Sequence, residues 1–263
     1  MKAVLCALVL VAAPAFGSVV PPADVDVVIL GEIHDNPAHH AEQARLVGLV
    51  RPEAVVWEML TPGQLEKAAG ADRADAVGFG AALGWEAAGW PDFEMYHPIF
   101  LASADAMHLG GAVPREALRP VIEKGALAAW GAPVPWFDAA RALGPLDPED
   151  LARREAEQAE AHCNALPADL LPGMVEAQRF RDATMASAAL GALADGKRPV
   201  VIITGSGHAR TDVGIPAMIR AARPDVTVWS LGQVEADPGP GAPYDAVNLT
   251  APTPREDPCA AFR

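Results

Sequence analysis

Apolar positions along the chain gather first into short uninterrupted runs. They are Asp26-Val27-Val28-Ile29-Leu30, closed by Gly31; Ala54-Val55-Val56-Trp57-Glu58-Met59; and Pro199-Val200-Val201-Ile202-Ile203-Thr204, closed by Gly205-Ser206-Gly207. Runs of this kind read as strands buried on both faces, the habit of a parallel sheet. Val226-Thr227-Val228-Trp229-Ser230 and Ala246-Val247-Asn248-Leu249 are further strand candidates, and Gly111-Ala112-Val113 offers one more. Asn36-Pro37 opens a helix that runs to about Val50, with asparagine as cap and proline at the first helical position. From Thr61 to about Asp195 the pattern is mainly helical, and Pro216 opens a last helix to about Arg223. Strand–helix–strand alternation at both ends predicts an α/β fold. Its mostly parallel sheet is flanked by helices, with a helical subdomain inserted at roughly residues 61–195.

The N-terminus carries an address. Met1-Lys2 precedes an apolar run from Ala3 to Ala13, then Pro14 and Ala15-Phe16-Gly17. One positive charge, an apolar run and a small-x-small ending predict a secretory signal peptide over residues 1–17. The run is too short to span a bilayer, which takes about 20 apolar residues. Cys6 lies at the start of the run rather than after it, so no lipid-attachment site is expected. The expectation is one exported, periplasmic, soluble domain over residues 18–263. Cys163 and Cys259 then remain, an even number in an oxidising compartment, and are expected to bond. Two separate buried thiols are the alternative.

With 263 residues, 51% hydrophobic and 21% charged, the chain has ample material for a core, which excludes global disorder. Lysine and arginine total 20 against 34 acidic residues, a net charge of −14 with no basic cluster to offset it. Such a surface repels phosphate backbones, so no nucleic-acid partner is expected.

Candidate chemistry collects where the predicted strands end, because ligands of open parallel sheets bind beyond the carboxyl ends of the strands. The first run delivers Gly31-Glu32-Ile33-His34-Asp35, the second Glu58, and the third Gly205-Ser206-Gly207-His208. Gly-x-x-His thus appears twice, each time directly after a buried strand, where glycine allows a sharp turn. Glu32, His34, Glu58 and His208 together have the donor types to bind a divalent metal or to serve as acid and base. The plainer alternative is that they cap strand ends. Arg210 occupies the position where a dinucleotide fingerprint needs its third glycine, which excludes that motif.

Three further groups stand out. His39 and His40 are adjacent, so one helix face cannot present both; His40, with Gln43 three residues on, is the one expected to look inward, and solvent exposure is the alternative. Met174, Gln178, Arg181, Asp182 and Met185 share one face of a predicted helix and read either as the lining of a polar cavity or as a wet surface. The stretch from Gly84 to Phe100 concentrates Trp85, Trp90, Phe93, Tyr96 and His97, able to line a flat apolar ligand and to offer an axial ligand; packing of the helical part onto the sheet is the alternative, above all for Trp85 and Trp90. His108 and His162 are isolated and read as packing or surface residues.

Taken in order, Ile29-Leu30-Gly31-Glu32-Ile33-His34-Asp35-Asn36-Pro37, Trp57-Glu58-Met59, Gly89-Trp90-Pro91, Leu171-Pro172-Gly173-Met174, Gly205-Ser206-Gly207-His208-Ala209-Arg210 and Asp257-Pro258-Cys259 resemble the ChaN-like haem-binding proteins. The resemblance covers nearly the whole chain after the signal. It implies a parallel-sheet α/β core, haem as cofactor, export, and a role in bacterial iron or haem acquisition. It also implies a homodimer and outer-membrane haem uptake components as partners. A tyrosine with an assisting histidine is the haem ligation it implies. Tyr96 is then the first candidate and His97 the second, with His40 and Arg210 as further cofactor contacts. More distantly, the chain is similar to Tiki metalloproteases and erythromycin esterases. That likeness implies the alternative of a metal-dependent hydrolase using Glu32, His34, Glu58 and His208.

Overall fold

The computed structural model describes residues 19–260, so the predicted signal segment lies outside the described residues. The first half of the chain runs β1 (Val27–Glu32), α1 (Pro37–Val50), β2 (Ala54–Trp57), α2 (Pro62–Lys67), α3 (Ala76–Leu83), α4 (Phe93–Ala102) and β3 (Met107–Gly110). There follow α5 (Arg115–Lys124), α6 (Ala126–Ala129), α7 (Ala139–Ala142), α8 (Pro148–Ala161) and the long α9 (Leu171–Ala194). The chain closes with β4 (Val200–Gly205), α10 (Ile215–Ala222), β5 (Val228–Val234) and β6 (Ala246–Leu249).

All pairings in the sheet are parallel, in the order β3-β2-β4-β1-β5-β6. The α/β class predicted from the apolar runs is therefore what the chain adopts. β1, β2 and β4, the three strands that carry the candidate chemistry, are neighbours at the centre with β4 in the middle. From β1 the chain crosses through α1 to β2, and from β4 it crosses through α10 toward the opposite edge at β5. This reversal opens a crevice at the carboxyl ends of the central strands.

Strand alternation decides which face each residue serves. Val28, Leu30, Val55, Trp57, Val201 and Ile203 pack with Leu46 of α1, Phe79 of α3 and Tyr96 and Phe100 of α4. Val27, Ile29, Val56, Val200 and Ile202 pack against α9 and α10 through Met185, Ala186, Leu190 and Ile219. Continued by one step, the same alternation sends Glu32 toward α1 and α4, and Glu58 toward α9.

Asn36 caps α1 by accepting from the Ala38 amide at 3.0 Å, with Pro37 following it. Two boundaries shift from the sequence reading. The extra strand is Met107–Gly110 rather than Gly111–Val113. Those next residues only prolong the contact, Gly111 donating to the Trp57 carbonyl at 2.8 Å and Ala112 to that of Leu60 at 2.9 Å. As an edge strand β3 is only partly buried, so it shows no continuous apolar run. β1 continues through Gly31 to Glu32, paired with Thr204 and Gly205.

The stretch 61–195 thus supplies an edge strand as well as helices, and its helices cover both faces of the sheet. Among the described residues no helix is long and apolar enough to cross a membrane. Beyond β6 the tail crosses the start of α1. Asn36 Nδ2 donates to the Ala251 carbonyl at 3.1 Å, and Arg255 pairs with Asp35 and Glu235. The tail ends at a disulfide between Cys259 and Cys163, which lies just past α8, with Cα atoms 5.5 Å apart. The expected bond is present.

Gly31 is needed for space. Its backbone is not left-handed, against the sharp turn expected of it. A Cβ there would lie 2.7 Å from the Leu231 carbonyl oxygen and 2.9 Å from Ser206 Oγ. Gly31→Ala should therefore overpack the sheet centre and cost about 2 kcal/mol. The fall is to be read as a lower denaturant midpoint at unchanged m-value.

Candidate functional site

Three carboxylates and three imidazoles line up at the crevice. At the α9 end, Asp182 Oδ1 accepts from His208 Nδ1 at 2.6 Å. The other ring nitrogen of His208 lies 3.4 Å from Glu58 Oε1. Glu58 Oε2 accepts from Thr204 Oγ1 and from the Gly205 amide, both at 2.7 Å. Across the edge, His34 Nε2 stands 3.8 Å from Glu58 Oε1, while His34 Nδ1 donates to Glu32 Oε1 at 2.8 Å. Tyr96 donates its hydroxyl to the same Glu32 oxygen at 2.6 Å. Glu32 Oε2 faces His40 Nδ1 at 3.1 Å as a charge pair without an aligned hydrogen bond. Acid and imidazole therefore alternate along Asp182, His208, Glu58, His34, Glu32 and His40.

The backbone explains why they meet. Glu32 is the last residue of β1 and Glu58 follows β2, so each is fixed by the sheet register. The Glu58 amide still donates to the Ile203 carbonyl at 3.1 Å. His208 sits in the turn after β4, its amide bonded back to Gly205 at 3.0 Å. Gly205 lets His34 close in: a Cβ on it would meet the His34 ring at 3.3 Å.

Hydrogen-bond partners fix the protonation states. His40 Nε2 faces the His34 carbonyl at 2.9 Å, and its Nδ1 faces Gln43 Oε1 at 3.2 Å beside Glu32. Gln43 is oriented by donating Nε2 to the Leu30 carbonyl at 2.9 Å. Both ring nitrogens of His40 thus face acceptors, the signature of an imidazolium. Burial pushes the His40 pKa down, and the Glu32 carboxylate overrides it, leaving the pKa raised. Burial likewise pushes Glu32 up, and His34 and His40 hold it below the usual carboxylate range. Burial works against charge on His208 too, but Glu58 and Asp182 push its pKa up to about 10. Glu58 is held far below its ordinary value by His208, His34 and the Gly205 amide, against its burial. For Asp182, burial raises the pKa while His208 opposes the rise.

His34 differs from the other five. Its side chain is 35% exposed, against 12% or less for the rest of the line that surrounds it. With Nδ1 committed to Glu32, its Nε2 has no hydrogen-bond partner among the described residues. The ring stands edge-on to Trp90 at 5.0 Å. Trp90 also walls a cleft of about 450 Å³ that reaches Glu58 and His208, with Met59, Arg181 and Met185 in its lining. The helix-face stripe divides accordingly. Asp182 and Gln178 turn to His208, Gln178 Nε2 lying 3.0 Å from Nδ1, and Arg181 and Met185 line the cleft. A larger groove of about 640 Å³ over α3 and the start of α4 has neither histidine nor tyrosine in its wall.

Of the expected cofactor contacts, Tyr96 is fully buried, its hydroxyl donates to Glu32, and burial with the neighbouring carboxylate pushes its pKa up. The other tyrosine, Tyr244, donates to the Ser206 carbonyl at 3.2 Å. His97 lies one helix position from Tyr96 but bonds through Nε2 to the Arg73 carbonyl at 2.7 Å, away from the line. His40 is in the line, yet it is fully buried and has no free nitrogen. Arg210 is tied to Asp212 at 2.8 Å and Glu157 at 3.2 Å. Glu32, His34, Glu58 and His208 do converge, but as a hydrogen-bonded and charge-paired line. Among the described residues no group of three or more such side chains is arranged to hold a metal ion. His39 is buried as well, accepting from the Ile33 amide through Nδ1 at 2.8 Å. Asp182 is the member of the line whose individual role sequence reasoning missed, its signal being a polar stripe on one helix face.

Because its folded pKa is raised, His208 contributes stability that is complete below its unfolded value of 6.5 and fades as pH climbs toward about 10. Thermal melts of the wild type should fall across that interval. His208→Gln should lose much of the slope and, below pH 6.5, be less stable by about 3–5 kcal/mol, because Glu58 and Asp182 lose their shared counter-charge.

Comparison with known proteins places the chain. Residues 22–219 match the model of the family described as haem-binding uptake, Tiki superfamily, ChaN. Among solved structures, one titled for cofacial heme binding to ChaN of Campylobacter jejuni aligns at 19% identity with a TM-score of 0.65, over 86% of this chain and 87% of that one. The type III effector HopBA1 aligns at 12% identity and a TM-score of 0.41, over 82% and 81% of the two chains. A mutant erythromycin esterase, EreC, in its open conformation aligns at 14% identity and 0.40, over 84% and 74%. No curated protein matches. The first structure supports the shared fold, and the matched segment contains every member of the acid–imidazole line. The chain belongs to the ChaN haem-binding uptake family of the Tiki superfamily.

Proposed function

We propose that this chain is an exported haem-binding protein that takes part in bacterial haem acquisition, and that it holds haem in the cleft beside His34. The observation that carries the reading is the free Nε2 of His34, half-exposed next to an apolar wall. A carboxylate on Nδ1 fixes the tautomer and ring orientation and raises the basicity of the other nitrogen, the usual support of a metal-ligating histidine. The donor set fits haem, whose iron asks for one axial side chain, better than it fits a bare cation, which asks for several. Bound there, haem would supply an iron centre, which His34 would hold through Nε2. Glu32 would hold His34 in place, with Tyr96 and His40 holding Glu32. Trp90, Met59 and Met185 would cover the flat apolar body.

In this reading, export to the periplasm rests on the segment 1–17, and the family's description as haem-binding uptake supports outer-membrane uptake components as partners. The Campylobacter jejuni relative is titled for cofacial heme binding. Stacking two haems face to face suits two copies of one chain meeting over their clefts, so a homodimer belongs to the proposal. Titration of the purified protein with haem should shift the Soret band to a saturable end point. His34→Ala should abolish or displace that shift, whereas His97→Ala should leave it in place. A wild type without a shift, or a His34→Ala variant matching it, overturns the assignment.

A second reading has one observation of its own. His34, oriented by Glu32 and partly exposed beside Trp90, is also placed to draw a proton from water, which makes a metal-free hydrolase of the esterase kind the alternative. An ester panel with wild type and His34→Ala tests it: hydrolysis lost in the variant supports it, and no turnover by the wild type removes it.

A further inference from the structure

Arginine is used conservatively in this acidic chain. Arg45, Arg119, Arg153, Arg154, Arg179, Arg198, Arg210, Arg223 and Arg255 all pair with carboxylates. Arg73 and Arg220 donate to backbone carbonyls. Arg51, Arg115, Arg141 and Arg181 have no side-chain hydrogen bond or ion pair among the described residues, and of these Arg115 and Arg181 line the cleft of about 450 Å³ that reaches Glu58 and His208. They come from different elements, Arg115 from the first position of α5 and Arg181 from the middle of α9. Met59, Trp90, Val113 and Met185 give the same wall an apolar stretch, beside the polar Thr61, Gln64, Glu58 and His208.

We propose that Arg115 and Arg181 form an anion-recognising end of this cleft, selecting flat apolar ligands that carry carboxylates. A guanidinium free of internal partners presents its fork to an incoming carboxylate at no cost in broken ion pairs. The setting sharpens the choice. On a chain of net charge −14 an anionic ligand is repelled at long range, so local positive groups must supply the attraction. The inference rests on the haem reading for the identity of the ligand, since the propionates of haem are the carboxylates such an end would take. The recognition itself does not depend on iron.

The test therefore uses metal-free protoporphyrin IX and its dimethyl ester, followed by fluorescence, beside haem followed by its Soret band. Wild type should bind the free acid about tenfold or more tightly than the ester, one charge-assisted hydrogen bond being worth about 1.5–3 kcal/mol and 1.4 kcal/mol a factor of ten. The double variant R115E/R181E should bind the two porphyrins alike, and R115K/R181K should keep most of the preference. Both variants change unpaired side chains, and circular dichroism should match the wild type. Equal binding of acid and ester by the wild type, binding of neither, or a preference that survives R115E/R181E overturns the inference. A Soret shift with no acid–ester preference would leave the haem reading standing and remove this one. A preference without a Soret shift would do the reverse.

Discussion

The structure turns on the cost of burying ionised groups together. Glu32, Glu58 and Asp182 would each be driven toward neutrality by desolvation if alone. Each is placed against an imidazole, which holds Glu32 and Glu58 below their ordinary range and opposes, without reversing, the upward push of burial on Asp182. Removing one member leaves its neighbours uncompensated, so the line behaves as a unit in which orientation and protonation are shared. Helix positions, glycine positions and the length of β1 all serve that placement.

The sheet supplies the geometry in a specific way. Glu32 and Glu58 point to opposite faces because they continue the alternation of β1 and β2. One is therefore clamped by α1 and α4, the other by the α9 side, through His208. His34, carried past the strand end, spans the edge between them. It is the most exposed of the six, with an Nε2 that has no hydrogen-bond partner among the described residues, which is why both functional readings converge on it.

Much of this was legible before any coordinates. The central strands are written as uninterrupted apolar runs, and the Asn36-Pro37 start of α1 is a local signal that tertiary structure has no reason to override. The four principal site residues were visible because strand ends are where such folds place chemistry. What stayed hidden was direction. Tyr96 sits among aromatics that suggest a ligand surface, yet its helix turns it onto Trp85 and Glu32 inside the core. Spacing gives the face of a helix but not what that face meets, so the contact of Asp182 with His208, 26 residues apart in sequence, could not be read. β3 escaped for a different reason: an edge strand stacks His108 on Trp57 instead of burying aliphatic residues.

The link between Cys163 and Cys259 spans 96 positions and encloses α9, β4, α10, β5 and β6 within one covalent ring. In the chain-entropy picture a ring of about this length restricts the denatured ensemble by about 4.7 kcal/mol. Where thiols stay reduced, that restriction disappears, and the final segment keeps only non-covalent ties, such as those of Arg255, Thr253 and the amide of Asn36. One amino-acid sequence therefore has two thermodynamic personalities, set by the oxidant outside it, and only the oxidised one ties Cys259 covalently to the end of α8.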